Sequence, residues 1–169
     1  MLARDATPAD AEAIAHIYNQ AIADRTSTFE TRPRTAENFA RWFDGVHPVV
    51  VIVENDRPGA AVIGYGATFP YSDRACYRGV AEFSVYVDRD RRGQGVGKLA
   101  LGALYEAART AGLWKLVSRI FPENAAVRHL NATLGIREVG IHEKHGQLDG
   151  VWRDVIVVEW LIRENIPAV

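Results

Sequence analysis

Cysteine is nearly absent from this chain. Cys76 stands alone among 169 residues, which excludes an intramolecular disulfide and leads to the expectation of a reducing, cytoplasmic setting. An excess of either charge is also missing, with 20 Lys and Arg against 21 Asp and Glu and a formal charge of −1. Without a net field to draw the protein to phosphodiesters or acidic lipid, neither nucleic acid nor membrane is expected as a partner. No apolar run nears the roughly 20 residues that span a bilayer, and Met1-Leu2-Ala3-Arg4-Asp5 lacks the apolar stretch of a signal peptide. Repeats and low-complexity segments are lacking too, which argues against solenoids and long tails. What remains is 48% hydrophobic, enough for a single α/β domain over residues 1–169 to bury a core, and too short for two.

Thr7-Pro8-Ala9-Asp10 reads as a helix start, followed by Ile14, Ile17, Tyr18 and Ala21 at helical spacing. A shorter helix is predicted from Thr35 to Phe43, with Phe39, Trp42 and Phe43 as its apolar stripe. Val49 to Glu54 and Ala60 to Phe69 flank the turn-rich Asn55-Asp56-Arg57-Pro58-Gly59 and read as an antiparallel hairpin. Ala81 to Val87 alternates as a strand, Gly97 to Ala111 repeats as a helix, and Leu116 to Phe121 is the next strand. That order implies a parallel crossover. Pro122-Glu123-Asn124 opens another helix that Gly135 closes, and Ile136 to Lys144 and Val151 to Trp160 read as final strands around a polar link, Gly146 to Gly150.

The densest signal is Ala81-Glu82-Phe83-Ser84-Val85-Tyr86-Val87-Asp88 followed by Arg91-Arg92-Gly93-Gln94-Gly95-Val96-Gly97-Lys98. A strand that empties through glycines into a helix presents bare N–H groups at a positive helix end, a cradle for a phosphate-bearing ligand. Leu99 stands where a Walker loop needs Ser or Thr for Mg²⁺, which argues against triphosphate chemistry. The spacing Gly93, Gly95, Gly97 departs from the dinucleotide fingerprint.

Arg92-Gly93-Gln94-Gly95-Val96-Gly97 resembles the pyrophosphate-binding loop of the GNAT superfamily of acetyl-CoA-dependent N-acyltransferases, and Asn124-Ala125-Ala126-Val127-Arg128 falls where that family places its next crossover. Ile17-Tyr18-Asn19-Gln20-Ala21-Ile22, Thr28-Phe29-Glu30-Thr31, the strand from Ala81 to Val87 and the closing segment from Lys144 to Val155 are similar to the group that acetylates phosphinothricin, methionine sulfoximine and arsinothricin. The resemblance implies a GNAT fold, α/β (α+β), with one mixed, largely antiparallel sheet, a parallel central crossover and flanking helices. It also implies acetyl-CoA as co-substrate, a small-molecule amine as acceptor, detoxification as the consequence, and a homodimer whose second subunit completes the pocket near Arg25 to Pro33.

By the same resemblance, N–H groups of Gly93, Gln94, Gly95, Val96, Gly97 and Lys98 hold the pyrophosphate, with Arg92 adding charge. Backbone groups of Val85, Tyr86 and Val87 bind the pantetheine arm, Val85 N–H polarises the thioester carbonyl, and Asn124 contacts the arm. Glu82 resembles the general base. The residues support that on their own terms, because a carboxylate inside an apolar strand is costly without a partner or a function; the alternative is a rim glutamate paired with Arg78 or Arg74. Asn131 follows Leu130 where relatives carry Tyr or His, so the role of protonating the leaving thiolate is vacant or moved.

For a doubly anionic acceptor, arginine forks recognise carboxylate and phosphinate well. Arg74, Tyr77 and Arg78 precede the catalytic strand, and Phe29 and Glu30 follow the first helix; these are the expected acceptor contacts, with Lys144, His145 and Arg153 as further candidates. His142 and His145 lack a cysteine or acid cluster, and no metal site is expected. Direct transfer is expected, since Cys76 lies outside the signature strand. Two other readings stay open: the same chemistry on a polyamine, aminoglycoside or protein N-terminus, and a non-catalytic acetyl-CoA sensor.

Overall fold

The computed structural model describes residues 1–166. The strands are β1 (Leu2–Asp5), β2 (Val49–Val53), β3 (Val62–Pro70), β4 (Val80–Val87), β5 (Lys115–Ile120), β6 (Arg137–Leu148) and β7 (Val151–Leu161), and the helices are α1 (Ala11–Asp24), α2 (Val96–Thr110) and α3 (Ala125–Thr133). All seven strands form one sheet in the order β1-β2-β3-β4-β5-β7-β6. Every pairing is antiparallel except β4 with β5, the crossover spanned by α2.

Both faces of the sheet are covered, which is why β2 reads Val49-Val50-Val51-Ile52-Val53 with every residue buried. On one face Ile14 and Ile17 of α1 pack with Phe39, Val51 and Tyr65. On the other, Leu101, Leu104 and Ala108 of α2 meet Val50, Phe83 and Leu116. Arg4 ties β1 to the start of α1 through two bonds to the Asp10 carboxylate, 2.7 and 2.8 Å long. Those bonds, chiefly, hold the Asp10 carboxyl below its ordinary range even though the residue is buried.

The second predicted helix is a 3-10 segment, Ala36–Trp42. In a 3-10 helix residues three apart eclipse, and Phe39 and Trp42 accordingly share a face with ring centroids 4.5 Å apart. Pro8–Asp10 is likewise a 3-10 turn, so α1 begins at Ala11 rather than at the proline. The polar link predicted from Gly146 to Gly150 shrinks to Asp149-Gly150, both with positive φ (+49° and +80°). An Asp-Gly pair suits such a two-residue hairpin turn, and Leu148 stays in the strand because it packs with Phe121 and Val155. β1 is an addition to the elements predicted from sequence.

The parallel pair starts on a close contact. Gly79 O accepts from the backbone N–H of Trp114 at 2.8 Å and of Lys115 at 3.2 Å, which lays the Trp114 ring against the Gly79 Cα. A Cβ added there would fall within the ring's van der Waals envelope. Gly79→Ala should therefore destabilise the protein by about 1–3 kcal/mol, the range for overpacking a filled site. A denaturant titration with an unchanged midpoint would show that the ring moves freely.

Candidate functional site

β4 and β5 part company in mid-strand. Their pairing runs Val80 with Lys115, Ala81 with Leu116 and Glu82 with Val117, and then ends. β5 continues to Ile120 against β7, and β4 continues to Val87 against β3. Among the described residues, the β5-facing edge of β4 has no ladder partner from Phe83 to Val87, so the strand that ends in the glycine loop carries an open backbone edge. Such an edge can bind an extended chain as an added strand does. Phe83 and Val85 turn their side chains toward α2, and Val85 and Val87 pack with Val96 and Ala100.

The loop has the conformation its glycines permit. Gly93 and Gly95 have φ of +76° and +84°, and Gly95 is the N-cap of α2. Among the described residues, no acceptor meets the N–H groups of Gly93, Gln94, Gly95, Val96, Gly97 or Lys98. A run of free N–H groups at the positive end of a 15-residue helix fits a pyrophosphate. Gly97 acts through packing instead, because a Cβ there would lie 3.3 Å from Leu130; its absence lets α2 approach α3.

The arginines around the loop bind neighbours other than Asp88 and Asp90, the partners a plain charge run would give them. Arg92 and Arg89 both reach Asp24 at the end of α1, at 2.8 and 2.5 Å, and Arg91 pairs with Glu54 beyond β2. Burial works to raise the Asp24 carboxyl, but the bonds from Arg92 and Arg89 outweigh it and hold the group below its ordinary range. Gln20 completes the clamp, donating to Asp88 at 3.1 Å and accepting from the Arg89 N–H at 2.8 Å. The loop is thus fixed by α1 before any ligand arrives.

On the α1 face, Glu82, Ser84 and Tyr86 alternate along β4 and form one wall of a cavity of about 280 Å³. Tyr18, Phe39, Trp42 and Phe69 supply its aromatic lining, and Glu30, Arg34, Asn38 and Arg41 its polar rim. Glu82 sits at the last paired position before the strands separate, and accepts from Arg119 Nη1 of β5 at 3.0 Å. Its ion-pair partner is therefore Arg119 and neither Arg74 nor Arg78. Sequence reasoning missed Arg119, because the parallel register that sets Val117 opposite Glu82, with Arg119 two residues on along the same face, exists only in the folded sheet. Burial, with Tyr18 nearby, pushes the Tyr86 phenol well above its ordinary value, so it stays a neutral hydroxyl, donating to Ser27 O.

Of the expected acceptor contacts, Glu30 lines this cavity and Phe29, Arg74, Tyr77 and Arg78 do not. Phe29 packs edge-on against Phe121 at 4.9 Å and against Gly146. Arg74 lies over the Tyr77 ring and Arg78 over that of Trp114, each 5.7 Å from the centroid. Asn124 caps α3, its Oδ1 accepting from Val127 N at 3.2 Å, and Asn131 is buried near the end of the same helix. Arg153 lies over the Phe121 ring, and the Lys144 N–H is held by Asp154. No group of metal-binding side chains occurs among the described residues, and no helix there is long and apolar enough to cross a membrane.

Comparison with known proteins agrees with this arrangement. The family model for the acetyltransferase (GNAT) domain matches residues 1–137. An L-methionine sulfoximine/L-methionine sulfone acetyltransferase of Pseudomonas aeruginosa is 35% identical over 158 residues, 92% of this chain and 91% of that one. A phosphinothricin N-acetyltransferase of Streptomyces coelicolor is 29% identical over 151 residues, 86% of this chain and 87% of its own. The structure of a Salmonella typhimurium acetyltransferase with its cofactor acetyl-CoA superposes with a TM-score of 0.86 at 28% identity, covering 96% of this chain and 94% of that one. A family model that spans residues 1–137 and a relative 35% identical over 92% of the chain show that the protein belongs to the GNAT acetyltransferase family and is an acyltransferase.

Proposed function

We propose that the protein acetylates the α-amino group of a small amino acid of the methionine sulfoximine, phosphinothricin or arsinothricin type, with detoxification as the consequence. One observation carries this reading: Glu82 stands where β4 leaves β5, between the open backbone edge and a cavity sized for a small molecule. Bound along that edge, acetyl-CoA supplies a thioester acyl group. The loop N–H groups from Gly93 to Lys98 would hold its pyrophosphate, Val85 N–H would polarise the acyl oxygen, and Asn124 would contact the arm. Glu82 would take a proton from the acceptor ammonium, directly or through a water, and the freed amine would form the C–N bond as the C–S bond breaks, its second proton neutralising the thiolate, which leaves as the thiol of coenzyme A. Names of the relatives from Pseudomonas and Streptomyces support the choice of acceptor.

Coenzyme A release with a panel of amines tests the reading. Methionine sulfoximine, methionine sulfone, phosphinothricin and arsinothricin should outpace spermidine, an aminoglycoside and an alanine-starting peptide. Fast release with one of the last three alone overturns the acceptor class. Tight acetyl-CoA binding without release from any amine would make the protein a sensor.

The reading includes a two-fold homodimer. Among the described residues β6 is the last strand of the sheet, with one edge unpaired, and Val139, Ile141, Val151 and Trp152 of the β6–β7 ribbon are exposed. Arg25 binds Asp149 in the turn of that ribbon at 2.8 Å, so the segment after α1 reaches the same surface. Light scattering should give twice the monomer mass. A fully active monomer at the same concentration removes the second subunit from the site.

A further inference from the structure

The cavity beside Glu82 carries four charged side chains, and two of them cancel. Glu30 and Arg34 bind each other at 2.6 Å. Glu82 rises from β4, its Arg119 partner lying outside the lining, and Arg41 projects from the 3-10 segment. Arg41 has no ion-pair or hydrogen-bonding partner among the described residues. A ligand in this space therefore meets a carboxylate on one wall, a guanidinium on another, and aromatic rings between them. That is the charge pattern of a zwitterion turned inside out: ammonium toward Glu82, carboxylate toward Arg41.

We propose that Arg41 anchors the α-carboxylate of the acceptor amino acid and so sets the enzyme's preference for amino acids over simple amines. The inference rests on the acetylation of an amino acid argued above. A guanidinium can grip a carboxylate with two parallel N–H···O bonds, which fixes the direction of the attached amine as well as its distance. The segment bearing Arg41 is held firmly enough for that. Trp42, the next residue, packs edge-on to Phe39 at 4.5 Å and to Phe69 at 4.7 Å, and Phe69 is the cross-strand neighbour of Glu82. Arg41 is thus placed relative to Glu82 through one aromatic cluster. Arg74 and Arg78, the anchors expected from sequence, lie against Tyr77 and Trp114 outside the cavity. A polyamine, all cation, would gain nothing from Arg41.

Binding without turnover isolates the anchor. L-methionine sulfone and methylsulfonylpropylamine, which lacks only the α-carboxylate, are titrated calorimetrically into the protein saturated with coenzyme A. The wild type should prefer the sulfone. Arg41→Ala should weaken sulfone binding about ten-fold or more, a step of one charge-assisted pair, leaving the amine and coenzyme A unaffected. Arg41→Lys should retain part of the affinity. Equal sulfone affinity in wild type and Arg41→Ala overturns the proposal, as does wild-type binding that ignores the carboxylate or fails for the sulfone altogether. A loss seen in Arg78→Ala or Arg74→Ala with none in Arg41→Ala also overturns it and restores the expectation from sequence. Sulfone binding that depends on Arg41, combined with no coenzyme A release from acetyl-CoA, overturns the acetylation reading and leaves the anchor standing.

Discussion

Glu82→Gln should lower kcat by about 10²-fold or more, the usual scale for a lost general base, with acetyl-CoA affinity nearly unchanged. The substitution keeps the side chain's volume and the Oε1 acceptor that Arg119 uses at 3.0 Å. What it removes is the capacity to take a proton. The cradle lies beyond the far end of β4, past Val87, so coenzyme binding has no reason to follow. Initial rates at neutral pH with the best acceptor of the panel, alongside an acetyl-CoA titration, separate the two effects. A kcat within a few-fold of wild type would make Glu82 a structural partner of Arg119, since the geometry already supplies that alternative role.

The block from Ala81 to Lys98 was legible because everything it needs is local: alternation in β4, positive-φ glycines and a helix start within 18 residues of chain. A parallel crossover followed from the same block, and the mixed, largely antiparallel sheet from the family resemblance that the block carries. The parting of β4 from β5 could be expected only through the family resemblance, because it depends on β5 staying with β7 after Val117, a pairing between residues some 40 apart in sequence. The cavity beside Glu82 was less legible still. It is assembled from α1 and the segment after it, the 3-10 segment, β3 and β4, and nothing in the local pattern around Arg41 distinguishes it from any exposed arginine. Sequence order puts Arg74 and Arg78 just before β4, but in the fold Arg78 lies over the Trp114 ring that packs on Gly79, and neither arginine lines the cavity. β1 escaped because four residues with mixed exposure give too short a pattern to read.

The second large effect belongs to the cradle, where Gly95→Val should cut acetyl-CoA affinity at least about ten-fold while the fold persists. At φ of +84°, a branched side chain is strained by about 1–3 kcal/mol. The peptide can relieve that strain only by rotating, and rotation turns away the N–H groups that open α2. Crowding is not the cause, because a Cβ on Gly95 meets no atom of the described residues within 4 Å. Gly97 makes the contrast, as its Cβ would press on Leu130, so a change there acts first on packing between α2 and α3. Calorimetric titration with acetyl-CoA, together with a thermal melt on the same sample, reads ligand and fold separately. The clamp of Gln20, Asp24 and Asp88 holds the loop from outside the glycine run, so the variant should melt within a few degrees of wild type. A folded Gly95→Val protein with wild-type affinity would mean that the pyrophosphate is held elsewhere, and that the glycines serve only the turn from strand to helix.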